Sequence, residues 1–366
     1  MHAQEPDVGK TTSKEETLSA MQKANAYFMR KWEDPGKEIS LHKTWPSNIW
    51  TRAVYYEGLM ALYSIDPQKE YYDYAVDWAN AHEWNFRYGV TTRNGDNQCA
   101  GQTYLKLYEI DPQLHRPINT KASFDSMLVT DKINDWDWID AIQMAMPVLA
   151  QLGRIYDDNR YFERMYEMYM HTRNTEGGSG LYNPKDDLWW RDKDYIPPYK
   201  EPNGEDCYWS RGNGWVVAAL VRVLEEIPEN EPHRKQYEKD LIAMLNAVSK
   251  VQREDGYWNA SLHDPNNYGG KEATGTSLFI YGMAWAENNG LVKPGTFTDQ
   301  IVKGWVATVE HSLHSNGFLG YVQSTGKEPS TGMPVTKTRV PDFEDYGLGC
   351  FLLAGSEVYK LEALAK

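Results

Sequence analysis

The stretch Ala61-Leu62-Tyr63-Ser64-Ile65-Asp66-Pro67, followed by Tyr71 to Trp84, decides the fold. An apolar helical run stops at Asp-Pro, because proline disfavours α geometry in the residue before it. A second amphipathic run then begins, with Tyr72, Ala75, Val76 and Ala79 at helical spacing. The same unit returns along the chain. Lys106 to Ile110 leads into Asp111-Pro112 and a helix near 120–129. Leu152 to Tyr156 leads into Asp157-Asp158-Asn159 and then Tyr161 to Thr172. Val223 to Ile227 leads into Pro228 and His233 to Gln252; Met283 to Asn289 leads into Gly290 and Phe297 to Leu313. With helices expected at 14–32 and 344–364, this makes about six helical pairs, and strand alternation is scarce. Repeated helical pairs mean a solenoid or a closed toroid. The expected fold is all-α, an (α/α)6 barrel of six hairpins, spanning residues 14–366 as one domain after a flexible segment at 1–13.

The unusual residues lie between the pairs: Thr91 to Gln98, Asp131 to Asp140, Gly177 to Trp215, Gly256 to Gly275 and Ser315 to Asp345. In a closed barrel of hairpins these connections gather at one end and surround a single pocket.

Composition narrows the function. The chain has 14 Trp and 25 Tyr in 366 residues, more than packing requires, and such a surplus suits sugar-binding clefts. A net charge of −14 argues against nucleic acid. It still permits an anionic sugar wherever local Arg and Lys reverse the sign. No apolar run is long enough to span a membrane. Cys99, Cys207 and Cys350 form neither a disulfide framework nor a metal pattern. His311 and His314 are read as a solvated helix face, so no metal is expected. The start Met1-His2-Ala3-Gln4-Glu5 fits either a cytoplasmic chain or a periplasmic one whose export signal was removed before residue 3 or 4.

Tyr208-Trp209-Ser210-Arg211-Gly212-Asn213-Gly214-Trp215 sets a guanidinium among indoles just before a helical run. Two readings fit: stacking on a sugar ring with Arg211 pairing to its carboxylate, or a helix start whose Arg holds a neighbouring carbonyl. Asp140 follows Trp138-Ile139 and opens an apolar helix, sharing a face with Met144 and Pro147. Desolvation would raise its pKa, and the helix N-terminus would oppose the rise. Asp135 is read as a capping residue. Asp96, in Arg93-Asn94-Gly95-Asp96-Asn97-Gln98, fits an N-cap when taken alone. Two carboxylates from different loops of one pocket are also the usual equipment for glycosidic hydrolysis.

Arg211-Gly212-Asn213-Gly214-Trp215, Trp138-Ile139-Asp140, Asp96 with Gly101, and Glu272-Ala273-Thr274-Gly275-Thr276 after Gly256-Tyr257-Trp258 occur in an order that resembles glycoside hydrolase family 105. These are the unsaturated rhamnogalacturonyl hydrolases, related to the unsaturated glucuronyl hydrolases. The tail Gly347 to Tyr359 resembles the family's closing helix. The resemblance implies an (α/α)6 barrel that removes a 4,5-unsaturated uronic acid from the non-reducing end of a lyase-generated oligosaccharide. It implies Asp140 as general acid/base and Asp96 as the assisting carboxylate. Trp138 and Trp215 match ring-stacking positions, and Arg211 a sugar contact. Trp190, Arg191, Lys132, Trp45 and Trp258 complete the candidate contacts to an anionic oligosaccharide.

The implied substrate is a vinyl ether. Protonation falls on C4, water adds at C5, and the hemiketal opens. That chemistry asks for no cofactor, and for an unpaired Asp with a raised pKa. One departure stands out. Where the family often carries a His, this chain reads Leu188-Trp189-Trp190-Arg191-Asp192, so Arg191 or Trp190 is expected to take over that contact. The insert Lys193 to Asp206 is expected to reshape the pocket beyond the first sugar. The alternatives are a saturated-sugar glycosidase or epimerase on the same barrel, and a non-catalytic glycan binder, which would need the Trp and Arg but not Asp140.

Overall fold

A computed structural model describes residues 11–361. Helices take 54% of the chain and the strands are two-residue pieces, so the core has to be built by helix packing on helix. In order these are α1 (Lys14–Lys31), β1 (Ile39–Ser40), β2 (Thr44–Trp45), α2 (Trp50–Ile65), α3 (Lys69–Ala81), α4 (Gly95–Gln98), α5 (Ala100–Ile110), α6 (Ile118–Leu128) and α7 (Asp140–Tyr156). Then follow α8 (Asn159–Asn174), β3 (Tyr182–Asn183), β4 (Leu188–Trp189), α9 (Ser210–Glu226), α10 (Arg234–Ser249), α11 (Ala273–Asn288), α12 (Thr298–Ala307) and α13 (Asp345–Lys360). A π-helical turn, Thr308–Ser312, extends α12. Each hairpin read from the sequence is present, and its breaks fall at the Asp-Pro, Asp-Asp-Asn, Pro and Gly signals. Of the expected flexible segment 1–13, residues 1–10 lie outside the described residues. Ser13 caps α1 in a reciprocal box with Glu16.

Burial separates two sets of helices. In α2, α7, α9, α11 and α13 nearly every residue is buried over the first two turns or more. In α3, α8 and α10 the buried residues recur at intervals of three or four, as expected of an outer face. Among the first set, α2 packs on α5 and α13, α13 on α11, α11 on α9, α9 on α7, and α7 on α5. Glycines allow the closest approaches. A Cβ on Gly275 would lie 2.2 Å from Ser210 Oγ, and one on Gly349 the same distance from Val54 O. The contacts join like ends, Trp50 with Tyr346 and Trp215 for example, so neighbouring helices run parallel and bring their N-termini together.

The connecting segments are latched to one another at that end. Tyr195 donates to Glu328 at 2.9 Å, Lys327 pairs with Asp194 at 3.1 Å, and Ser261 donates to Glu201 at 3.0 Å. The insert 193–206 therefore touches both the 256–275 and the 315–345 loops.

Candidate active site

Asp140 is the first residue of α7 and is 8% exposed. The segment after β4 runs antiparallel beside the entry to this helix. Trp138 bridges to Asp192, and Ile139 N–H donates to Arg191 O at 3.0 Å. That pairing sets the Arg191 side chain against the helix start, where Nε donates to Asp140 Oδ2 at 3.0 Å and Nη1 to Asp192 Oδ2 at 2.7 Å. Asp140 is thus ion-paired, which corrects the expectation of an unpaired acid.

Asp96 sits in α4, whose cap is Asn94, accepting from Asn97 N–H at 3.3 Å. Asp96 is not the helix cap. Gly95 lets α4 lie against α7, since a Cβ there would be 3.1 Å from Ala141 O. Burial, and then the negative charge of nearby Asp140, pushes the Asp96 carboxyl from 3.8 up to about 7. Arg191 and Arg87 oppose that rise. The balance leaves the Asp96 carboxyl in the neutral range.

Arg87 is a residue that sequence reasoning missed. Its guanidinium lies 4.6 Å from the Trp45 ring, on which Lys43 Nζ also sits at 3.9 Å. Arg87 acts on Asp96 and stacks on Trp45, so it draws Trp45 into the neighbourhood of the two aspartates. Arg87 lies in Phe86-Arg87-Tyr88-Gly89, a turn in which Tyr88 and Gly89 both take positive φ. Trp45 and Trp138 are half-buried and keep ring area for a ligand. The site thus holds cations (Arg191, Arg87, Lys43) on a chain of strongly negative net charge.

Other predicted contacts are buried in the packing or tied into ion pairs. Trp215 has no exposed area and meets Trp50 edge to face, with ring centres 6.2 Å apart. Trp258 is equally buried, and its indole N–H donates to Val248 O at 2.8 Å. Neither ring offers a face to a sugar, and both pack the core instead. Arg211 is 1% exposed; it donates to Gln323 O and Ser324 O at 3.0 Å and to the Tyr346 hydroxyl at 3.1 Å. Of the two readings of that arginine, the structure takes the carbonyl-holding one. Lys132 pairs with Asp135 at 2.7 Å on the surface, and Arg93 completes the grip on Asp135. Asp135 is thus an ion-pair residue and not a cap. Trp190 is nearly buried against Tyr208. The helical pair His311 and His314 also departs from its reading, since His314 is part-buried and bonds Lys337 O at 2.7 Å.

The Arg-Gly-Asn-Gly-Trp element acts one step behind the site. Asn213 Oδ1 accepts from Trp189 N–H at 2.8 Å, and its Nδ2 donates to Trp189 O at 3.0 Å. This grip on β4 fixes the segment that carries Arg191 two residues later. Glu272 likewise caps α11, accepting from Thr274 and Gly275 N–H at 2.9 and 2.8 Å.

Residues 20–362 match the family model described as Glycosyl Hydrolase Family 88. The chain belongs to that family. An unsaturated 3S-rhamnoglycuronyl hydrolase of Formosa agariphila is 33% identical over 69% of this chain, a match that spans 65% of that enzyme's length. One of the same description from Alteromonas sp. is 30% identical, with 85% and 78% covered. Among solved structures, a family 88 hydrolase from Bacteroides vulgatus superposes with TM-score 0.86 at 28% identity, covering 96% and 100%. A polysaccharide lyase does so with TM-score 0.85 at 28% identity, covering 95% and 98%. A possible family 105 member from Salmonella enterica shares the fold at TM-score 0.75 and 20% identity, over 98% and 99%. The motifs resemble glycoside hydrolase family 105 and its glucuronyl hydrolase relatives; the family model that matches is that of family 88, and a possible family 105 member shares the fold.

Proposed function

We propose that this protein hydrolyses a 4,5-unsaturated uronic acid from the non-reducing end of a lyase-generated oligosaccharide in which the uronyl group is joined to rhamnose. The family membership and the descriptions of both curated relatives support this reading. It takes residues 14–366 as one catalytic unit in which α2, α5, α7, α9, α11 and α13 close as the inner ring of an (α/α)6 barrel. The run of contacts from α2 through α13, α11, α9 and α7 to α5 and back supports that closure.

The observation that carries the reading is the Asp96–Asp140 pair set between Arg191 and Arg87, with Trp45 and Trp138 beside it. A carboxyl raised to about 7 holds its proton in about half of the molecules at neutral pH, so Asp96 has one to give and a site to take one back. Asp96 stores that proton and Asp140, steadied by Arg191, works at the reacting carbons. Protonation of C4 leaves an oxocarbenium-like centre at C5, which water attacks while the pair takes back a proton. The hemiketal then opens and releases the remaining sugar. Arg87 and Arg191 face the uronate, and the half-buried indoles stack on its ring.

The test is to follow the ultraviolet absorbance of the conjugated double bond on lyase digests of rhamnose-containing and rhamnose-free uronate polysaccharides. Decay is expected on the rhamnose-containing digests. No decay on any of them would sink the proposal. The similar lyase structure favours a second reading, β-elimination; absorbance would then rise on undigested polymer.

A further inference from the structure

We propose that Glu57 is a positioning residue that braces both aspartate-bearing segments from beneath. The proposal rests on the reading of Asp96 and Asp140 as the reacting pair.

Glu57 lies in α2 and is 2% exposed, and both of its oxygens are used. Oε1 accepts from Cys99 Sγ at 3.3 Å and Oε2 from Gln143 Nε2 at 2.8 Å. Cys99 is three residues beyond Asp96, and Gln143 three beyond Asp140. In a helix, three residues bring a side chain back to the same face one turn down. One carboxylate therefore holds the turn under each aspartate.

A closed polar circuit keeps that carboxylate in place. Gln143 O accepts from Gln102 Nε2 at 2.8 Å, Gln102 Oε1 accepts from Arg222 Nε at 2.6 Å, and the same Nε lies 3.8 Å from Glu57 Oε2. The circuit links α2, α5, α7 and α9. A cavity of about 440 Å³ opens there, lined by Gln102, Gln151, Arg222, Glu225 and Tyr281 among others. With that space beside the carboxylate, these hydrogen bonds aim it at Cys99 and Gln143. The buried carboxylate is costly in itself and burial pushes its pKa up. An apolar residue would pack the position without that cost, yet could not reach two donors on two segments at once.

The test uses the full chain with Glu57→Gln, Cys99→Ala, Cys99→Ser and Gln143→Leu. A glutamine at position 57 can accept on one side only, so Glu57→Gln releases one of the two segments. The expected result is a kcat lower by on the order of 10-fold or more with KM within about twofold, since small misplacements of reacting groups act on the chemical step. Cys99→Ser, which keeps a donor, should retain kcat where Cys99→Ala loses it. Combining Glu57→Gln with Gln143→Leu should cost no more than the larger single loss, because both cut the same brace. A merely structural carboxylate would lower Tm and leave kcat per folded molecule and the serine rescue unmoved. That outcome, or single losses that multiply, overturns the proposal. If Glu57→Gln fails to fold, Cys99→Ala against Cys99→Ser, and Gln143→Leu, decide alone. Should the wild type turn over no unsaturated oligosaccharide, the functional reading fails. The brace is then judged from crystals of wild type and Glu57→Gln, and it stands only if the Asp96–Asp140 separation changes.

Discussion

Replacing Asp96 by asparagine should make the protein more stable and far less active at once. The folded chain holds this carboxyl at about 7 against an ordinary 3.8. Between those values the folded state keeps a proton that the unfolded chain releases. Wild-type stability therefore falls as pH rises from about 4 to about 7, and no further beyond. The difference of roughly 3 units corresponds to about 4 kcal/mol at about 1.4 kcal/mol per unit. Asp96 is half-buried, so solvent screening cuts this to about 2 kcal/mol. An amide carries no charge to desolvate and escapes that penalty. For a chain of this size the unfolding entropy is roughly 0.7 kcal/mol per degree, so the gain is about 3 °C in Tm. Calorimetry of both proteins from pH 4 to pH 8 measures it. The Asp96→Asn variant should lead by about 3 °C at roughly pH 8, and the gap should close toward pH 4. Turnover of the unsaturated substrate should drop by about 10²–10⁴-fold. A gap independent of pH, or a variant less stable than wild type at the alkaline end, refutes the account of Asp96 as the strained proton store.

Asp140→Asn should lower kcat by a similar factor of about 10²–10⁴ while substrate binding, measured by calorimetric titration, persists; retained turnover would remove Asp140 from the chemistry. Asn213→Ala removes both partners of the buried Trp189 backbone, at a cost of about 2–3 kcal/mol seen in chemical denaturation. Its kcat should fall further than the folded fraction does, because Arg191 loses its register. Arg211→Met should cost about 3 kcal/mol by taking the guanidinium partner from the part-buried Ser324 carbonyl and leaving the Gln323 carbonyl to the Tyr346 hydroxyl alone, with KM of the folded fraction unchanged; a KM rise of tenfold would restore Arg211 as a sugar contact.

The fold was legible because helix ends are written locally. Asp66-Pro67, Asp111-Pro112, Pro228 and Gly290 stop helices through backbone geometry alone, and each observed break falls there. That the loops bearing Asp96 and Asp140 come together was legible too, since loops between hairpins gather at one end of the helices. The electrostatic coupling between the two was not. The charge state of Asp96 depends on Asp140, Arg191 and Arg87 from three other segments, and no local pattern reports that. Arg87 was overlooked for the same reason: its meaning comes from the distant Trp45 and Asp96.

Tryptophan and arginine misled in an informative way. An indole suits a sugar face and a helix interface equally, so composition could not tell Trp138 from Trp215. What separates them is position relative to the helix start. Trp138 and Arg191 precede or flank a helix N-terminus and keep solvent on one side, whereas Arg211 and Trp215 lie inside α9, one residue and more than a turn past its start. The Arg-Gly-Asn-Gly-Trp element is therefore informative about function through what it holds. Gly212 and Gly214 let α9 press against Trp209, Ile139 and Leu278, Asn213 grips β4, and β4 delivers Arg191 to Asp140. The motif thereby sets the register of the Asp140–Arg191 ion pair through backbone and core contacts, with Arg211 and Trp215 themselves turned into the core.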